Sequence, residues 1–170
     1  NNYSNLAYRV LSFVQKRFDN KVPYCNELTA TDNELLLKCV TTLTKVGAFI
    51  EATEFRHAIE AVMTLVQDAN RYMQHEEPWT VFKKDTERAG TVLNVLIQVL
   101  ASLSVLTEPF MPFQAKRLRD MLQIQGDNLL WQMPVLEPGH ELGPISMLFL
   151  RLEPSVVSDE EQRLHAQVTE

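Results

Sequence analysis

The sequence predicts an all-α fold, an antiparallel bundle of about five helices with an irregular C-terminal wrap. Three observations carry that expectation. Apolar residues recur at steps of three and four through most of the first 124 positions, and the prolines fall between those stretches. A run centred on Val92 to Leu100 is apolar on nearly every side, as a central buried helix requires. From Gln125 onward, Gly126, Pro134, Pro138, Gly139, Gly143 and Pro144 break any long helix.

The first helix runs from Ser4 to about Asp19-Asn20. Leu6, Val10, Phe13, Val14 and Phe18 form its apolar stripe, while Asn5, Arg9, Ser12 and Lys16 form a polar one at the same spacing. Lys21-Val22-Pro23 then leads into a loop. Thr31-Asp32 with Glu34 offers the next helix start, followed by the apolar face Leu35, Leu36, Cys39, Val40, Leu43, Val46 and Phe49-Ile50. A third helix starts near Thr53, presents Phe55, Ile59, Val62, Val66, Ala69 and Met73, and stops before Pro78. The fourth spans about Thr86 to Leu106; Asn94, Gln98 and Ser102 interrupt it too often for a membrane span. A fifth covers roughly Phe113 to Leu122.

Beyond it, the apolar runs Leu129-Leu130-Trp131 and Met147 to Leu150 should pack across the bundle or against a neighbouring domain. Ser158-Asp159-Glu160-Glu161 is a plausible helix cap. The chain therefore divides into a bundle over 1–124, an irregular segment over 125–157 and an acidic tail helix over 158–170.

With 170 residues, one domain can bury roughly two thirds of its unfolded surface, so a core needs no staples. Two isolated cysteines, Cys25 and Cys39, and four scattered histidines give neither a zinc spacing nor a disulfide framework. That points to a reducing intracellular compartment. The chain opens Asn1-Asn2-Tyr3 with no initiator Met and no signal peptide, which suggests a piece of a longer protein.

A formal charge of -6 argues at first against nucleic acid. After Leu150, however, five acids stand against two bases, so half of the net charge sits in the last 20 residues. Three basic groups remain elsewhere: Arg9, Lys16, Arg17 and Lys21; Lys83, Lys84 and Arg88; Lys116, Arg117 and Arg119. Each alone reads as a solvated helix face.

No glycine-rich phosphate loop, Gly-x-Ser-x-Gly or His-Glu-x-x-His occurs. Glu54-Phe55-Arg56-His57 is a single Glu-x-x-His where a di-metal bundle needs two, and it reads as a surface pair. No catalytic or metal-binding residue is assigned. What remains suits single-stranded bases, which are recognised by stacking on an aromatic or guanidinium plane and by bonds to their edges. Trp79 follows Pro78 at the end of the third helix, and Asn5 and Arg9 share a face of the first.

These residues carry a resemblance. Asn5-Leu6-Ala7-Tyr8-Arg9 with Phe13, Lys16-Arg17-Phe18-Asp19 and Lys21-Val22-Pro23 resembles the start of the anticodon-binding domain of methionyl-tRNA synthetases. Ala69-Asn70-Arg71-Tyr72-Met73-Gln74 with Glu77-Pro78-Trp79 matches a second motif of that family. Leu106, Pro109-Phe110-Met111-Pro112, Trp131, His140-Glu141-Leu142-Gly143 and Leu148-Phe149-Leu150-Arg151-Leu152-Glu153 extend the likeness over about residues 3 to 165.

The resemblance implies the class I synthetase anticodon-binding fold, with Asn5 and Arg9 recognising bases of the CAU anticodon of tRNA(Met) and Trp79 stacking on the first of them. Asn70 and Tyr72 match positions near that surface and are expected to shape it. The class I catalytic motifs are missing, so this stretch should bind anticodons without forming methionyl-adenylate. It would hold no cofactor itself, while its parent enzyme would use ATP, methionine and Mg²⁺ in a preceding catalytic domain. The expected partners are the tRNA(Met) anticodon loop and that catalytic domain, with no membrane and a monomeric isolated domain. The expected location is cytoplasmic, with an organellar parent left open. Two alternatives stand beside this reading: a helical protein-interaction module that binds no RNA, and the anticodon domain of another class I synthetase.

Overall fold

The computed structural model describes residues 2–125, 130–149 and 163. Five long helices and one single-turn helix occur among them: α1 (Asn2–Arg17), α2 (Ala30–Glu51), α3 (Phe55–Glu76), α4 (Pro78–Val81), α5 (Thr86–Leu106) and α6 (Pro112–Leu122). The tail helix expected over 158–170 lies outside the described residues, as do Leu129 and Leu150 of the two apolar runs.

α5 is the axis, with every residue from Ala89 to Leu106 buried. By length and composition it could cross a membrane, which corrects the expectation that it is too interrupted; the other helices cover it completely instead. Three of its polar residues, Thr91, Asn94 and Gln98, bond the irregular chain. The Asn94 amide donates to the carbonyl of Pro23 at 2.8 Å, and Thr91 Oγ1 accepts the N–H of Asn26 at 3.1 Å. Gln98 grips Leu136 at both ends, its Nε2 donating to the carbonyl at 2.8 Å and its Oε1 accepting the N–H at 3.1 Å. A buried backbone away from any helix needs such partners. Asn94, Thr91 and Gln98 thus form a rail on which residues 23–26 and 136 are docked.

The start of α2 differs from expectation. Thr29, not Thr31, is its cap: the Thr29 hydroxyl accepts the Asp32 N–H while the Asp32 carboxylate accepts the Thr29 N–H, a reciprocal capping box. α3 ends as predicted before Pro78, and Glu77 there is left-handed (φ 41°, ψ 58°). Pro78 then opens α4 at the position where a missing N–H costs nothing.

The irregular segment returns to the bundle. Leu136, Leu142 and Leu148 enter the core, and Trp131 donates its indole N–H to the carbonyl of Leu43 on α2. Of the two apolar runs, Leu148 is buried, Phe149 packs on the core and Trp131 is anchored to α2, while Leu130 and Met147 stay exposed. Residues 139–143 form a clasp: Val22 N–H bonds His140 O, Gly139 N–H bonds Val22 O, Leu142 N–H bonds Asn20 O and Gly143 N–H bonds Met121 O, all at 2.8–2.9 Å. Gly143 is required there, since a Cβ would lie 2.4 Å from the carbonyl of Asp120.

The basic groups divide in space. Arg88 turns inward to Asp32 and Glu76, Arg119 bonds Glu108 and the carbonyl of Ser104, and Arg117 bonds the carbonyls of Met147 and Leu148. The third group is thus largely a set of internal ties rather than a solvated face. Lys16, Arg17, Lys83 and Lys84 remain exposed.

Candidate nucleic-acid interface

α1 buries Tyr3, Leu6, Ala7, Val10, Leu11 and Val14 and so turns Asn5, Arg9 and Lys16 outward. One face of it meets α4. There the Arg9 guanidinium lies over the indole of Trp79, 5.2 Å from the ring centroid. Asn5, one turn before Arg9, is exposed on the same face. The side chains of Arg9 and Trp79, far apart in sequence, are brought into contact, with Asn5 one turn from Arg9 on α1.

The pairing repeats two turns further along. Arg17 lies over Phe82, 5.4 Å from its centroid, and Phe13 and Phe18 meet the same ring edge-on at 5.7 and 5.6 Å. Trp79 and Phe82 are three apart on α4 and its end, so both face α1. Sequence reading missed Phe82 and its pairing with Arg17, which stands there only among the basic residues of the first helix. The signal lay in matched spacings: Arg9 to Arg17 is two turns of α1, and Trp79 to Phe82 is one turn of α4. The result is a strip of aromatic rings bordered by exposed Lys16, Arg17, Lys83 and Lys84.

Asn70 is half-buried, its amide donating to the carbonyl of Val66 at 2.9 Å and to that of Asn2 at 3.4 Å. It fastens the start of α1 to α3. Tyr72 is buried, its hydroxyl donating to Asp32 Oδ1 at 2.6 Å. Any shaping role it has is exerted from inside the bundle.

Asp32 is the hub of that interior. It is fully buried and accepts from Tyr72, from the Thr29 N–H and from both Arg88 nitrogens, at 2.5 Å from Nη1 and 2.9 Å from Nη2. Arg88 Nη2 also donates to Glu76 Oε2 at 2.6 Å. Burial works to raise the Asp32 carboxyl, but the Arg88 guanidinium, the Tyr72 hydroxyl and the Thr29 N–H outweigh it and hold its pKa at about 2. The Arg88 guanidinium is correspondingly pushed up by the same carboxylate. Among the described residues, no group of three His, Cys, Asp or Glu converges as a metal site would require.

A family model described as the anticodon binding domain of methionyl tRNA ligase matches residues 22–169. The methionine–tRNA ligase of Bacteroides fragilis (strain YCH46) is 35% identical over 166 residues, which is 95% of this chain and 24% of that protein. That of Pyrococcus abyssi is 33% identical over 152 residues, 89% of this chain and 21% of that protein. Among solved structures, the free-state methionyl-tRNA synthetase of Mycobacterium tuberculosis superposes with a TM-score of 0.84 at 32% identity, covering 91% of this chain and 32% of that one. The same enzyme in complex with methionyl-adenylate gives 0.82 at 32% identity, covering 89% and 31%. The chain spans about a quarter of the length of the curated relatives it matches.

Proposed function

The chain belongs to the family of anticodon-binding domains of methionyl-tRNA ligases, and from that premise we propose that the strip on α1 and α4 reads the CAU anticodon of tRNA(Met). The observation that carries the reading is the Arg9 guanidinium over the Trp79 indole, with Asn5 one turn away.

Magnitudes favour a swap on the ring. An exposed guanidinium over an indole is worth about 0.5–1 kcal/mol, whereas a base stacked on an aromatic side chain contributes about 1–3 kcal/mol. A base can therefore take Arg9's place on Trp79. The released guanidinium then becomes a fork of donors beside the base, and Asn5 offers both a donor and an acceptor to its edge. A wrong base would leave these groups unpaired at about 1–3 kcal/mol each. Exposed Lys16, Arg17, Lys83 and Lys84 suit the flanking phosphates, which position without specifying.

In the parent enzyme, this readout would place the tRNA so that its acceptor end reaches a catalytic domain that uses ATP, methionine and Mg²⁺. Free Cys25 and Cys39 suit a reducing, cytoplasmic setting. Titration of the protein with anticodon stem-loops tests the reading. Tighter binding of CAU than of a loop with its first base changed is expected; equal affinity for the two would overturn it.

A further inference from the structure

We propose that Arg88, gripped by Asp32, is a positioning residue for Trp79: it locks the joint between α3 and α4 in the geometry that turns the indole toward Arg9. The proposal rests on the anticodon reading above for its functional consequence, though not for its structural one.

The joint has backbone bonds of its own, Glu77 N–H to Met73 O and Thr80 and Val81 N–H to Glu77 O, but they do not tie it to the rest of the bundle. Glu77 is a non-glycine residue in the left-handed region, where its Cβ crowds the following carbonyl oxygen. Pro78 contributes no N–H, and α4 is a single turn of four residues, too short to be stable alone. A strained backbone of this kind persists only where its surroundings over-determine it.

Arg88 supplies the constraint. It sits in the first turn of α5, whose cap is Asp85 accepting the Arg88 N–H at 2.9 Å. Its Nη2 reaches back to Glu76, the last residue of α3, and so closes the short loop that contains Glu77, Pro78 and Trp79. A single ion pair would leave a long side chain free to swivel. Here the two-pronged contact with Asp32 fixes the guanidinium plane, because the carboxylate matches its fork. Asp32 is itself fixed by Thr29 at the start of α2 and by Tyr72, one turn before Glu76 on α3. The ends of three helices are thus pinned to one buried carboxylate behind the Trp79 platform. Lysine cannot reproduce the arrangement, since one ammonium cannot make the paired contact and reach Glu76 in the same plane.

The test uses a Trp131→Phe background, in which Trp79 is the one remaining tryptophan. Acrylamide quenching and fluorescence anisotropy of Trp79 are measured without RNA, then affinity for CAU and first-base-changed stem-loops, all below the melting temperature and with helical circular dichroism verified. Arg88→Met and Arg88→Lys should leave the helices intact, expose Trp79 to quencher and lower its anisotropy. Affinity for CAU should fall roughly tenfold, the worth of one base stack. Glu76→Ala, at the outer edge of the network, should do the same and carries the test if the Arg88 variants do not fold. Unchanged quenching and anisotropy in a folded variant would overturn the proposal. If the unsubstituted protein fails to distinguish the two loops, the anticodon reading falls, and the quenching measurement alone still decides whether Arg88 positions Trp79.

Discussion

Arg9 on α1 and Trp79 on α4 are in direct contact, the guanidinium 5.2 Å from the indole centroid, although the whole of α2 and α3 separates them in sequence. The contact sets an aromatic ring against the middle of the polar stripe that α1 otherwise presents to solvent. It also makes the pair measurable as a unit.

Trp79→Ala should weaken CAU stem-loop binding by about 1–3 kcal/mol, a loss of roughly tenfold or more, while Trp79→Phe should retain part of the affinity. Arg9→Ala removes edge contacts but also clears the ring. A cycle of Arg9→Ala, Trp79→Ala and the double variant should therefore be non-additive. Fluorescence titration checks it, and strict additivity would show that the two side chains act separately.

Asp32 makes a prediction in pH. Its folded pKa of about 2 lies below the ordinary carboxylate value of 3.8, so its contribution is present above about pH 4 and is lost as pH falls through 2. The shift corresponds to about 2–3 kcal/mol at neutral pH. Asp32→Asn should lose about that much stability at pH 7, and the two proteins' stabilities should converge toward pH 2. Urea unfolding at a series of pH values measures this; parallel curves down to pH 2 would contradict it.

Gln98→Leu preserves approximate size but strands the N–H and carbonyl of Leu136, each bonded to the Gln98 amide. Unsatisfied buried groups cost about 1–3 kcal/mol apiece. Denaturant unfolding should register the loss, and amide exchange at Leu136 should accelerate well beyond that of α5.

Two glycines four residues apart should respond differently to alanine. At Gly143 a Cβ would fall 2.4 Å from Asp120 O and 2.6 Å from Gln123 Nε2, an overlap that the backbone must move to relieve. At Gly139 nothing lies within 4 Å, and only the positive φ of 85° is at stake. Gly143→Ala should cost about 1–3 kcal/mol and Gly139→Ala about 1 kcal/mol. Thermal melts of the pair would reveal the order, and its reversal would refute the steric account.

Helical periodicity locates α1, α2, α3 and α6, each of which buries one face, as the spacing of Val62, Val66, Ala69 and Met73 on α3 records; α5 is legible instead by being apolar all round. α4 was not legible: one turn is too brief to show a period, and its residues read only as proline punctuation. Asn94 and Gln98 were visible as interruptions of an apolar run. Their partners, the carbonyl of Pro23 and the backbone of Leu136, are distant backbone atoms that no side-chain pattern encodes. Asn5, Arg9 and Trp79 are legible as an aromatic plane and two planar hydrogen-bonding groups, and the resemblance adds their roles, while Tyr72 is legible without its buried partner Asp32. The Asp32–Arg88 pair was hidden by separation, with Arg88 counted among exposed cations until its carboxylate was seen. Local periodicity reports what faces inward; it does not report which inward polar groups meet.

The clasp at residues 139–143 gives the polypeptide a topology close to a ring. Asn20 to Val22 are bonded to Gly139 to Leu142, so nearly all of α2 to α6 lies inside one closed circuit whose seam sits at the foot of α1. A cut anywhere in an exposed part of that circuit leaves both pieces joined at the seam and by the core. The helix that carries Arg9 is thereby stitched to the last described stretch of chain, and a pull on either one is borne by the other.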